Sequence, residues 1–154
     1  MSRRNGIRSI AMAVAAAAAL SLSSCAWASP TQTDKMYAAS DGIRVSLVEG
    51  DALRVENLML LTAGEGEAAQ LFGALVNDTS EDASITLAVA DAATTTIEVE
   101  AGGVARLEEE TEVIDASPVA PGATVPVVIT YQGATTHAAP VLDGTLEPYD
   151  QFLP

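Results

Sequence analysis

The sequence predicts an all-β domain, a Greek-key β-sandwich of about seven to eight strands, and three features of the chain lead there. Beyond Asp41 the apolar residues come in short runs rich in Val, Ile and Thr, too short for amphipathic helices. Glycine, asparagine, aspartate and proline separate the runs at regular intervals, as turns between strands require. In Thr95-Thr96-Ile97-Glu98-Val99-Glu100 apolar and polar residues alternate, the period-two pattern of a strand with one buried face.

Eight strands follow in order. Ile43 to Val48 and Leu53 to Leu61 flank the turn signal Glu49-Gly50-Asp51. Gln70 to Val76 comes after Gly64-Glu65-Gly66. The wider segment Glu67 to Val76 also has apolar residues at helical spacing, and it is assigned as strand with Gly73 marking a bulge or a close backbone approach. Ser84 to Ala90 starts after Asn77-Asp78, and Thr94 to Val99 precedes the Gly102-Gly103 turn into Val104 to Leu107. Pro121-Gly122 leads into Thr124 to Tyr131, and Gln132-Gly133 turns the chain into Thr135 to Val141. The sandwich therefore covers 41–142 and leaves 143–154 as a C-terminal tail, with a core mainly of Val, Leu, Ile and Ala.

Residues 1–24 do not belong to this domain. Arg3, Arg4 and Arg8 precede the alanine-rich apolar run Ile10 to Leu22, the layout of an export signal. The run falls short of the ~20 apolar residues that span a bilayer. Ser2-Arg3-Arg4 hints at twin-arginine export, although Gly6 stands where a bulky apolar residue is usual. Two cleavages compete. Leu22-Ser23-Ser24-Cys25 forms a lipobox that leaves Cys25 carrying a diacylglycerol; Ala26-Trp27-Ala28 forms a small-x-small site that releases a chain starting at Ser29. Cys25 is the single cysteine and has no disulfide partner within the chain, and lipidation accounts for it. The expectation is a lipoprotein anchored through Cys25 to the outer face of the bacterial cell membrane, with 25–40 as a flexible tether.

Charge narrows the partners. With the signal removed, Lys35, Arg44, Arg54 and Arg106 stand against 21 acidic residues, a net charge near −17. Such a surface repels nucleic acid and anionic headgroups, so the expected partners are the membrane, through the lipid on Cys25, and a protein of the cell envelope.

Three stretches resemble, in order, the PCuAC-type bacterial copper chaperones. Gly73-Ala74-Leu75-Val76-Asn77-Asp78-Thr79 is similar to a strand running into an Asn-rich turn of that family. Ile97 to Leu107, "IEVEAGGVARL", resembles its strand-AGG-strand hairpin, and Pro121 to Tyr131, "PGATVPVVITY", its PG-x-T-V-P turn and last long strand. The similar region runs from about Ala52 to Val141, and "VLDGTLEPY" resembles a group of actinobacterial lipoproteins related to those chaperones. The resemblance implies a cupredoxin-like, immunoglobulin-like sandwich. It does not carry over the copper chemistry. The family's ligands are His-Met, a later Met and His-x-Met, a soft set for Cu(I), whereas "ITLAVADAAT" lacks His and Met and the hairpin here is followed by Glu109-Glu110-Thr111-Glu112-Val113-Ile114.

Candidate chemistry is sparse. Met36, Met59 and His137 are the soft ligands left beside Cys25, and a site from them needs three distant segments to converge. Glu108-Glu109-Glu110-Thr111-Glu112, with Asp78, Glu81 and Asp82, offers oxygen ligands to calcium but no Asp-x-Asp-x-Asp-Gly loop. No Gly-x-Ser-x-Gly elbow or phosphate-binding glycine loop accompanies the lone His137. The expectation is a non-enzymatic binding or interaction module without cofactor. Its recognition loops are Gly64 to Glu67 and Glu108 to Ala116 at the sandwich end. A copper or calcium carrier with a relocated site is the alternative.

Overall fold

The structure is a computed structural model and describes residues 40–153, so Leu22, Ser23, Ser24, Cys25, Met36 and the rest of the tether up to residue 39 lie outside the described residues. Eight strands form: β1 (Ile43–Ser46), β2 (Leu53–Thr62), β3 (Ala69–Asn77), β4 (Ala83–Val89), β5 (Ala93–Val99), β6 (Val104–Arg106), β7 (Thr124–Thr130) and β8 (Ala134–Asp143). Each strand expected from the sequence is present, shifted at its ends by a residue or two.

The strands run in the order β5-β4-β7-β8-β2-β3-β6, with β1 added on β2. The chain passes from one side of the fold to the other after β3, after β5 and after β6. β8 belongs to both halves. Thr124 to Thr130 of β7 pairs antiparallel with Ala134 to Pro140, and the end of β8 then runs parallel to β2, Leu60 facing Val141 and Thr62 facing Asp143. One continuous sheet thus folds round the core like a nearly closed barrel, because β8 is long enough to leave one half and enter the other. The two ends of the path, β5 and β6, lie side by side without a hydrogen-bonded ladder.

The alternation read from the sequence sets the inner face. Ala83, Ile85, Leu87 and Val89 of β4 point inward with Ile97 and Val99 of β5 and Val125, Val127 and Ile129 of β7, against Leu53, Val55, Leu58, Leu60 and Leu75 of the other half. Burying each such side chain contributes about 1.5–3 kcal/mol. Pro126 fits inside β7 because its carbonyl accepts the Ala90 N–H at 2.9 Å, beyond the end of the β4 ladder. Its ring nitrogen faces the same side, so the ladder to β8 loses no donor.

β2 bends at Asn57, which takes a left-handed conformation (φ 54°) and shifts the register between Glu56 and Met59. Gly73 lies across from this bulge at φ 137°, and a Cβ there would sit 2.7 Å from the Glu56 carbonyl oxygen. The close approach expected at Gly73 is therefore real, and a glycine is required. The Asn57 Oδ1 also accepts the Gly42 N–H at 2.8 Å, which fixes the start of β1.

Asn77 ties three segments together. It is fully buried. Its Nδ2 donates to the carbonyls of Glu81 (2.8 Å), Val99 (3.0 Å) and Glu100 (3.1 Å), while its Oδ1 accepts from the N–H and hydroxyl of Thr79. The Asn-rich turn is thus a joint between the end of β3, the start of β4 and the β5–β6 turn.

The C-terminal segment after β8 packs on the outer face of the sheet. Tyr149 and Phe152 meet Phe72 edge-on, with ring centroids at 5.5 and 4.8 Å. Met59, directly across from Phe72 in the β2–β3 ladder, is completely buried. The Tyr149 hydroxyl donates to Asp41, and half-burial together with that carboxylate pushes its pKa up to about 12. This covering explains why Leu58 to Thr62 are buried on both faces of β2.

Candidate functional site

Two loops singled out in the sequence are joined in the fold. Ala69 and Ile114 exchange N–H···O bonds of 2.8 Å in both directions, the Gly66 N–H reaches the Ser117 carbonyl at 2.9 Å, and the Ser117 N–H reaches the Glu67 carbonyl at 2.7 Å. The 64–67 loop and the 111–117 segment therefore form one wall, extending β3 beyond the point where β6 leaves it.

Side chains stiffen that wall. The buried Thr62 hydroxyl bonds within the 64–68 turn, to Gly64 and Ala68 carbonyls at 2.9 and 3.0 Å. The buried Gln70 Nε2 donates to the Thr111 hydroxyl at 2.9 Å, and the Ser117 hydroxyl donates to the Val119 carbonyl at 2.7 Å. Leu107, at the start of the helical turn Leu107–Glu110, is fully buried and anchors the segment from below. Ile114 does the same from its middle.

Opposite this wall stands the start of β5. Ala92, Ala93, Thr94 and Thr95 on one side and Glu112, Val113, Ile114, Asp115 and Ala116 on the other enclose an open cleft of about 450 Å³. The cleft is polar and acidic. Glu112 and Asp115 are exposed and enter no salt bridge or side-chain hydrogen bond among the described residues. Two of the three arginines of the described residues are held elsewhere, Arg44 by Asp51 and Glu56 and Arg54 by Glu56 and Asp78, while Arg106 stays largely exposed at 3.7 and 4.0 Å from Glu108 and Glu109. The hydrogen bonds to Asp78 and Glu56 raise the pKa of Arg54 further and keep it charged.

The candidate metal ligands do not meet. Met59 is packed beneath Phe72, and His137 is half-buried on β8 across from Val127, its Nε2 3.0 Å from the Thr135 hydroxyl. His137 precedes by four residues the point where Val141 meets Leu60, which places it roughly 13 Å along the strand. Met36 lies outside the described residues. Of the carboxylates considered for calcium, Asp78 is held by Arg54 at 2.6 Å, and Asp82 accepts the Ala101 N–H at 2.8 Å. Glu108 lies against the protein, one of its oxygens buried without a partner and the other 3.7 Å from Arg106. Among the described residues no three His, Cys, Asp or Glu side chains converge on one point.

Sequence reasoning located the 108–116 wall and missed its counterpart, Ala92 to Thr95. The available signal was the run Thr94-Thr95-Thr96 in a strand that ends the sheet. Searches of family models, curated proteins and solved structures return no match to the chain.

Proposed function

We propose that the protein is a non-enzymatic binding module of the bacterial cell envelope, anchored through a lipid on Cys25 and related to copper chaperones without their metal motif. The joined loop end is the observation that carries the proposal. A recognition surface needs walls held before the partner arrives, since ordering loops on binding subtracts from affinity. The 64–67 and 111–117 segments are held in this way by paired backbone bonds and by Thr62, Gln70 and Ser117. The cleft presents two free carboxylates, and the chain's negative charge favours a basic partner. A metal carrier with a relocated site gains no support from His137, since among the described residues no three His, Cys, Asp or Glu side chains converge.

The test is recovery of partners with membrane-extracted protein carrying either of two equal charge changes. Glu112→Gln with Asp115→Asn alters the cleft; Glu98→Gln with Glu100→Gln alters exposed carboxylates at and just past the far end of β5. A partner lost with the first pair and retained with the second supports the proposal. Equal recovery with both pairs, or no partner with any form, contradicts it.

A further inference from the structure

The cleft lies on the seam where the sheet fails to close. β5 and β6 are the two ends of the strand path, and each has a hydrogen-bonded neighbour on one side only. At Ile97 and Val99 the seam is shut, both side chains buried against the core cluster. Toward Ala93 it opens, because the opposite wall leaves β6 through the Leu107–Glu110 turn before it rejoins β3 at Ile114. Ala93 and Thr95 carry on the inward-facing register of Ile97 and Val99 but are only half-buried, for want of a strand across from them. The result is an unpaired strand edge facing a cleft of about 450 Å³, with the exposed side chain of Val113 at its rim. Unpaired edges accept an added strand, main-chain bonds supplying affinity and alternate side chains specificity.

We infer that this seam takes up an extended polypeptide segment bearing lysine or arginine at alternate positions, added as a strand along the free edge of β5. Resting on the proposal of a binding module, it names the partner's chemistry. Charge selects the occupant: Glu112 and Asp115 lie in the cleft wall, and among the described residues no lysine, arginine or histidine lines it. An added strand places successive side chains on opposite faces, so alternate basic residues meet the 112–116 wall while the intervening ones lie toward Ala93 and Thr95.

The probe is a fluorescein-labelled heptapeptide of alternating lysine and valine with blocked ends, titrated by anisotropy into the full-length protein in detergent micelles. Two N-methylated forms accompany it, one blocking the odd amides and one the even. Strand addition uses one set of amides and leaves the other in solvent. One N-methylated form must therefore lose binding while its counterpart keeps it, and the amides of Thr94 and Thr96, which face the free edge while that of Thr95 faces Leu87 of β4, must gain protection from hydrogen exchange. Glu112→Gln with Asp115→Asn weakens binding about tenfold. Loss or retention with both N-methylated forms alike means charge adsorption only and overturns strand addition, as does an equal affinity for a peptide with glutamate in place of lysine. If no peptide binds while the envelope partner still depends on Glu112 and Asp115, strand addition is wrong and the module proposal stands.

Discussion

Replacing Asn77 by alanine is the most informative single perturbation of the fold. Its side chain makes five contacts of 3.1 Å or less to backbone and hydroxyl groups from three segments, and it is completely buried. Two amide hydrogens shared among three carbonyls, plus two accepted bonds, amount to about four hydrogen bonds, each contributing about 1 kcal/mol net. Water can reach the exposed Glu81 and Glu100 in the variant but not the Val99 carbonyl, so Asn77→Ala is expected to cost about 2–4 kcal/mol. At roughly 4 °C per kcal/mol for a domain of this size, the melting temperature falls by about 8–16 °C. Urea unfolding followed by circular dichroism measures this directly, and the m-value should not change, because the same surface is exposed on unfolding. Asn77→Asp sharpens the test. It keeps the acceptor for Thr79 but turns a carboxylate oxygen toward three carbonyls, so the folded state raises the pKa of the new carboxyl. Its stability relative to the parent must then be greatest at acid pH and decline as pH rises through the raised value. A loss below about 1 kcal/mol for Asn77→Ala, or no pH dependence for Asn77→Asp, would refute the role of Asn77 as the joint between β3, β4 and the β5–β6 turn.

Further expectations concern the bulge, the tail and the anchor. Gly73→Ala places a methyl group 2.7 Å from the Glu56 carbonyl oxygen at φ 137° and should destabilise by about 2–4 kcal/mol in the same urea assay, whereas Gly122→Ala, at a positive φ in open space, should cost about 1 kcal/mol. The fold pushes the Tyr149 pKa up to about 12 because it favours the neutral form; the stability this phenol lends to the docked tail is complete below the ordinary tyrosine pKa of 10.0 and is lost as pH rises through about 12. Absorbance at 295 nm should show a late-titrating phenol that disappears in Tyr149→Phe. Cys25→Ser should move the protein from the membrane to the soluble fraction and remove the diacylglycerol mass from the intact chain, while retention on the membrane would place the anchor elsewhere.

The strands were legible because each buries one face, and burial writes a period of two into the chain. Thr95 to Val99 and Ala83 to Val89 show that alternation both in sequence and in exposure. Gly73 was legible too, since a glycine in a strand needs a cause, and the cause is the Asn57 bulge across from it. Asn57 itself gave no signal: the left-handed turn is imposed by tertiary packing and by its bond to Gly42. The tail was read only as a terminus, because the docking of Tyr149 and Phe152 on Phe72 joins residues that are distant in sequence. For the candidate site, the acidic run announced a loop, but the pairing of Ile114 with Ala69 and the facing edge at Ala92 to Thr95 arise from topology, which local patterns do not encode.

The most direct test of the account is site-specific photo-crosslinking in intact cells. A photoreactive side chain is placed either at Val113, on the cleft rim, or at Leu146, in the tail segment; both are exposed apolar residues, at 44% and 61% of full accessibility. Recognition at the loop end predicts a discrete crosslinked species from Val113, lost when Glu112→Gln and Asp115→Asn are added, and none from Leu146. Crosslinking from Leu146 alone would contradict recognition at the loop end.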